Sequence, residues 1–292
     1  MAIEQTPRYT LSNRYLFQGT LVLQTALHIG GGRVTLSSSN SPVVLTPEEI
    51  PFIPGSSFKG SLRSTVEKFV PTLSKGLFSC ALIELSDEEL KEARERGERI
   101  CSTARQREIT NERRDNPGQA EAILARARKD LCSTCQLFGS PFAASRIAVN
   151  DLYIPEGAWS GVLQMRDGVA IDRDSEKAKD RLKYDFEVVP ASASFSFEMT
   201  LENATPQDLQ LVSIGLSEFV HGFGSIGGKR SRGLGACKLE GLRVSALELS
   251  GVDETTRNTR LRDYLLHRKF SREEEDGEKF LNDQISEFFK NS

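Results

Sequence analysis

The chain has 292 residues and a formal net charge of −3, enough length for one large domain or two modest ones. A pI near 5.8 excludes a generic basic coat, so any surface for nucleic acid must be a local patch offset by acid elsewhere. No apolar run reaches membrane-span length and the opening Met-Ala-Ile-Glu-Gln-Thr-Pro lacks signal-peptide shape, so the protein is expected in the cytoplasm with its five cysteines as thiols or metal ligands.

In chain order, residues 15–29 alternate well enough to read as a strand, ended by Gly30-Gly31-Gly32 and a Ser-rich loop through Ser41. Phe58, Leu62, Val66 and Phe69 then recur at helical spacing, with Ser56 or Ser57 as the expected N-cap. Residues 81–131 differ in composition: 23 of 51 are charged, which predicts a partly helical insertion bracketed by cysteines. A polar stretch over 163–190 between strand-like flanks predicts a projecting hairpin. Ala193–Leu201 alternates strictly and is the clearest strand. Thr205-Pro206 opens a second helix with a stripe of Leu209, Val212, Leu216 and Phe219. A strand returns over Ala236–Val244, and the charged residues beyond Gly251 read as a tail, helical around Phe280–Phe289. Strand, helix, insertions, strand, helix, strand is the order of a split βαβ, ferredoxin-like sheet, so the fold class is α+β.

Between the second helix and the last strand lies His221-Gly-Phe-Gly-Ser-Ile-Gly-Gly-Lys-Arg-Ser-Arg-Gly-Leu-Gly235. Six glycines there surround Lys229, Arg230 and Arg232. Glycine permits positive φ and close backbone approach, and runs of exposed amides form nests for anions. The spacing matches neither a P-loop nor a dinucleotide fingerprint, so a polyanion is the expected guest rather than a mononucleotide. The bland alternative for the same residues is a basic glycine-rich turn.

Taken together, Leu27-His-Ile-Gly-Gly-Gly32, Ser41-Pro-Val-Val44, Ile53-Pro-Gly-Ser-Ser-Phe-Lys-Gly-Ser-Leu-Arg63, Cys132-Ser-Thr-Cys-Gln-Leu-Phe-Gly-Ser140, Gly168-Val-Ala-Ile-Asp-Arg173 and the glycine loop resemble, in order, the RAMP superfamily. The likeness is to backbone subunits of type III CRISPR effector complexes. It implies an RRM-like domain over 15–250, with an insertion at 80–135, a thumb at 163–190 and a charged tail at 251–292. The partners implied are CRISPR guide RNA, target RNA and other effector subunits. Guide contacts implied on this chain are His28, Ser56, Ser57, Lys59 and Arg63, then Asp172 and Arg173 in the thumb. In the glycine loop they are Gly227, Gly228, Lys229, Arg230 and Arg232. Lys59 and Arg63 are four apart and share a helical face near a helix start, a setting that favours phosphate; the alternative is a solvated face. In the thumb, Val169, Ala170 and Ile171 would form an apolar wedge into the guide–target duplex.

Cys132-x-x-Cys135 has metal-chelating spacing, and Cys80 and Cys101 lie upstream, which together predict a structural zinc site. A C-x-x-C pair alone also fits redox or incidental thiols. Cys237 is expected to be a core thiol. Many members of the resembled family cut target RNA with an aspartate just before Ser-Pro-Val-Val, where this chain has Asn40. An amide cannot act as a general base, and 33–47 contain no Asp or Glu, so the catalytic assignment is none. The alternatives are a target-cleaving endoribonuclease subunit of the same complex and a guide-processing RAMP endonuclease.

Overall fold

The sheet is built on a strand whose alternate residues Tyr15, Phe17, Leu21 and Leu23 are buried on one face, as a period of two requires. The computed structural model describes residues 10–31, 41–73, 76–80, 86–96, 101, 103–171 and 178–290. In chain order these form β1 (Asn13–Leu23), β2 (Phe52–Ile53), α1 (Gly55–Phe69), α2 (Asp87–Glu95), α3 (Thr103–Asp115), α4 (Ala120–Lys129) and α5 (Ser133–Phe138). There follow β3 (Ile147–Val149), β4 (Leu152–Tyr153), β5 (Gln164–Ile171), β6 (Ala178–Val188) and β7 (Ser194–Glu202). The remainder is α6 (Pro206–Val220), β8 (Gly224–Ser225), β9 (Ala236–Glu248), α7 (Glu254–His267), β10 (Arg272–Glu274) and α8 (Gly277–Lys290).

The fold is mixed α+β. Its main sheet runs β10-β9-β1-β7-β3 with antiparallel neighbours throughout, and β8 pairs with β9. The register between β1 and β9 slips at Gln18/Thr20. There Gly241 takes φ 59°, a left-handed conformation that glycine enters cheaply. On the opposite strand a Cβ at Gly19 would stand 2.9 Å from the Glu240 carbonyl, so the bulge requires glycine on both sides.

Helices α1 and α6 pack on the buried face. Phe58 meets Phe197 at 4.8 Å and Phe219 at 4.9 Å between ring centroids. Gly215 on α6 leaves room for Leu62 and Val66 of α1, whose side chains would lie 2.7 Å from a Cβ there. The opposite face of β1 and β7 is polar. Arg14 pairs with Glu202, and Gln18 and Asn150 both donate to Glu198. Strands β5 and β6 make a separate two-stranded hairpin. The insertion helices enclose their own small core of Ile109, Ile123, Ala127, Leu131 and Phe142 around the cysteines.

Three sequence expectations change. The first strand ends at Leu23 rather than Ile29, because the Gln24 and Thr25 amides both turn onto the Ala236 carbonyl. Helix α1 starts at Gly55 behind Pro54, with no serine cap. Gly55 sits so close to the Val149 carbonyl that a Cβ would clash at 2.2 Å, and its amide is taken by Asp151 Oδ1 at 2.8 Å. Helix α6 does begin at Thr205-Pro206, with a capping box between Thr205 and Asp208. However, it is buried well beyond one stripe, Leu211, Ile214 and Val220 included, because α8 packs along it.

The segment beyond 251 closes back on the sheet: β10 extends the edge at β9, and Phe280, Leu281 and Phe288 join the main core. Phe280 lies 6.3 Å from Phe17 and 6.4 Å from Tyr15. Phe280→Ala is therefore expected to cost about 3–5 kcal/mol in urea unfolding, the usual loss for a buried aromatic. A cost under about 1 kcal/mol would show that α8 contributes nothing to this core.

Candidate functional site

The glycine loop is assembled against the chain that leaves β1. Gly235 N donates to Ala26 O at 2.8 Å, Gly228 N to His28 O at 3.0 Å, and Ile226 N to Gly235 O at 2.9 Å. Side chains are barred where these bonds form: a Cβ at Gly235 would lie 1.9 Å from the Ile226 carbonyl, and one at Gly227 would lie 2.5 Å from that of His28. The Arg232 and Gly233 amides close a short 3-10 turn on Lys229 and Arg230. The expected nest of exposed amides is thus largely spent on holding the loop. What the loop presents is cationic, with Arg230 and Arg232 exposed.

Lys229 adopts φ 59°, left-handed for a residue with a side chain, and its ammonium lies over the Phe186 ring at 4.5 Å. Arg232 lies over Tyr184 at 5.7 Å. Sequence reasoning missed both aromatics. The available signal was Gly168, opposite Tyr184 in the β5–β6 register, where a Cβ would meet that ring at 2.4 Å. The hairpin stem and the glycine loop are therefore joined by a cluster of cation–aromatic contacts.

His28 is buried. Its Nδ1 lies 2.7 Å from Glu187 O and its Nε2 3.4 Å from Ser41 Oγ, while its ring meets Phe186 edge-on. It is the His28 carbonyl that reaches the glycine loop. Ser41 O in turn accepts from Glu187 N at 3.1 Å, and Glu187 Oε2 accepts from Val43 N at 3.0 Å. The segment from Ser41 to Val43 is anchored at the hairpin base in this way. Asn40, Asp172 and Arg173 lie outside the described residues, as do the side chains of Val169, Ala170 and Ile171.

Helix α1 runs beside the loop, and Ser61 Oγ donates to Ser225 O. Ser56 at its start is exposed and Ser57 half-buried. Lys59 and Arg63 do share a face, but both are engaged inward. The Lys59 ammonium donates to Ile147 O at 3.0 Å; burial, and then Arg63, lower its pKa. The Arg63 guanidinium donates from Nε to Glu67 at 2.8 Å, from Nη1 to Gly139 O at 3.4 Å and from Nη2 to Cys135 Sγ at 3.3 Å. Burial opposes its charge, yet those partners raise its pKa.

The four cysteines come together. The sulfurs of Cys80, Cys101, Cys132 and Cys135 are all buried and lie within 4.8 Å of one another. Phe78 and Ser133 exchange two hydrogen bonds, which bring the segment carrying Cys80 to the start of α5. Backbone amides point at sulfur: Cys132 N at Cys101 Sγ and Cys135 N at Cys132 Sγ, each at 3.4 Å. Hydrogen bonds from Cys101 and Cys135 hold the Cys132 thiol far below the ordinary thiol range, and contact with Cys101 lowers Cys80 to about 7. Burial instead pushes the isolated Cys237 up to about 12, as befits a core thiol. A metal ion at about 2.3 Å from each of four tetrahedral thiolates sets sulfurs about 3.8 Å apart. The 3.6 Å between Cys80 and Cys135 fits that demand, so this cluster has the geometry to hold a metal ion.

A family model described as the RAMP superfamily matches residues 20–238. The chain is 24% identical over 256 residues to the CRISPR system Cms endoribonuclease Csm3 of Methanocaldococcus jannaschii, covering 80% of this chain and 82% of that relative. Relatives of the same name from Methanothermobacter thermautotrophicus and Enterococcus italicus are 35% identical over 65 residues and 46% over 55. Those two alignments cover 21% and 18% of this chain and 26% of each relative, so the chain spans about a quarter of their length in them.

Tyr184→Ala removes an aromatic face beneath Arg232. Such contacts are worth about 0.5–1 kcal/mol at exposed sites. Amide exchange at Gly228 and Gly235 is expected to quicken by about 2–5-fold, and unchanged exchange would show that the stem does not brace the loop.

Proposed function

We propose that this chain, which belongs to the RAMP superfamily, is a guide-RNA-binding backbone subunit of a type III CRISPR effector complex. In that role it holds guide and target RNA without cutting. The observation that carries the reading is the glycine loop, seated between the exit of β1, the stem of the hairpin and α1, with Arg230 and Arg232 exposed. Guanidinium groups on a braced loop suit phosphate contacts that ignore sequence. Among the described residues Tyr153, Phe223 and Phe289 are the well-exposed aromatics, which is few for base stacking and suits a protein that leaves sequence reading to base pairing.

The strand order β9-β1-β7-β3, with α1 between β1 and β3 and α6 between β7 and β9, supports the finer reading of a split βαβ, RRM-like core. We assign the RAMP domain to 15–250, its insertion to 80–135, its thumb to 163–190 and a C-terminal segment to 251–292. Direct guide contacts are assigned to Ser56, Ser57, Arg230 and Arg232, while Lys59 stays bonded to the Ile147 carbonyl. Gly227, Gly228, Lys229 and His28 shape the loop, and Asp172 and Arg173 belong to the thumb. No helix among the described residues is long and apolar enough to cross a membrane, in keeping with work in the cytoplasm.

The metal is zinc in this reading. Four thiolates are a soft donor set, and the insertion encloses too small an apolar core to fold on burial alone. When bound, zinc would supply folding energy and no reaction chemistry. Cys80, Cys101, Cys132 and Cys135 hold it, and the two backbone amides aimed at sulfur fix the rotamers of Cys101 and Cys132.

Cleavage at the 2′-hydroxyl needs a group that can take a proton or stabilise charge, and Asn40 offers an amide. The relatives are named endoribonucleases, and a target-cutting subunit is the second reading. Assembled guide complex should leave target RNA intact at the position of this subunit, and Asn40→Asp should restore a cut there. Cutting by the natural chain would establish the endoribonuclease reading. Replacing Arg230 and Arg232 together by Ala should weaken guide binding and flatten the slope of log affinity against log salt by about 1.4, near 0.7 for each lost phosphate contact. An unchanged slope would remove the loop from the RNA surface. Elemental analysis should find one zinc per chain, with chelation exposing 80–135 to protease ahead of the sheet.

A further inference from the structure

Arg63 stands in the sequence as a helix-surface cation four residues after Lys59, yet its guanidinium is turned into the protein. The side chain is 17% exposed and its partner Glu67 13%. Three different groups take its fork: the Glu67 carboxylate, the Gly139 carbonyl and the Cys135 sulfur. Each comes from a different place in the fold, namely the next turn of α1, the residue that ends α5, and α5 itself. Arg63 thereby ties α1, a helix of the main core, to the cysteine insertion.

Four thiolates around a dication carry a net charge of about −2, and burying that charge is costly unless donors meet the sulfurs. Cys101 and Cys132 receive backbone amides, and Cys132 also lies 3.3 Å from Thr134 Oγ1. Cys135 receives Arg63 Nη2 at 3.3 Å. Among the described residues this is the one full positive charge in hydrogen-bond contact with a cluster sulfur. Glu67, at i+4 on the same helix, fixes the guanidinium so that the second arm meets sulfur rather than solvent.

We propose that Arg63 is a positioning residue of the metal site, neutralising and orienting the Cys135 thiolate, and is not part of the phosphate-binding surface. This rests on the reading of the four cysteines as a zinc site. A donor to a ligand sulfur acts on metal retention: loss of such a partner commonly costs about 10–100-fold in affinity. It also couples the insertion to the sheet, since the same side chain holds both.

The test uses the full chain prepared with zinc, comparing natural protein, Arg63→Gln, Arg63→Lys and Lys59→Ala. Zinc transfer to a competing chelator is measured, with melting in excess zinc as a check on folding. Both Arg63 variants are expected to surrender zinc at least about 10-fold more readily, while Lys59→Ala behaves as the natural chain. Arg63→Lys keeps the charge but cannot span three acceptors, so it separates fork geometry from charge. Cobalt in place of zinc gives a second readout that mere helix stability would not move. Loss of the hydrogen bond should shift the thiolate-to-cobalt charge-transfer band to lower energy, and this reads out even in a variant of low stability. If the natural chain holds zinc while both variants match it in retention and in cobalt spectrum, the assignment of Arg63 is wrong and the zinc reading stands. If the natural chain holds no zinc or cobalt, the metal reading falls and this inference with it.

Discussion

Strand β1 is paired along both edges over nearly its whole length, with β7 on one side and β9 on the other. That double pairing consumes its backbone groups and leaves no freedom in where it ends. At Gln24 and Thr25 the chain must turn onto the Ala236 carbonyl, the first residue of β9. The turn delivers Ala26 and His28 to the underside of the glycine loop, and Leu27 to Val189 at the foot of the hairpin. The loop, the hairpin and the segment from Ser41 to Val44 are thus three attachments to one exit point. Glycines 227 and 235 are required there both by contact distance and by their positive φ of 80° and 82°.

The distribution of charge follows from which cations are already occupied. Lys59 and Arg63 are bonded inward, and Lys229 rests on an aromatic ring. The formal charge of −3 therefore understates how selective the surface is, because several of its basic residues serve structure. Arg230 and Arg232 stay exposed, on a turn bounded by left-handed Lys229 and Gly233. A short, internally bonded turn would lose little conformational entropy on meeting an anion.

Much of this was legible in the sequence, and the reasons for the rest are specific. The strict alternation of Phe195, Phe197, Met199 and Leu201 and the Thr205-Pro206 opening are local signals, and the fold keeps them. The cysteine set was readable because thiol spacing and a charge-rich, core-poor insertion are both visible in one dimension. The direction of Arg63 was not, since a long side chain at a helix surface serves either a groove or a neighbouring domain with the same periodicity. The cap of α1 was missed because Asp151 lies 96 residues from Gly55. The segment after 251 read as a tail because its charges outnumber its aromatics. Phe280 and Phe288 reveal their place only once Tyr15 and Phe17, some 260 residues earlier, are seen beside them.

The polar face of the sheet has its own consequence. Glu198 and Glu202 stand in a row across β7, saturated by Gln18, Asn150 and Arg14, and stacking rings are absent from that row. A negatively charged strand approaching from this side meets carboxylates whose donors are already committed. Exposed Arg243, opposite Gln18 in the β1–β9 register, shares this face, so the sheet presents a mixed-charge surface, unlike the purely basic turn of the glycine loop. Charge on this molecule is thus sorted by place, with paired ions across the sheet and exposed guanidinium groups gathered on one short turn.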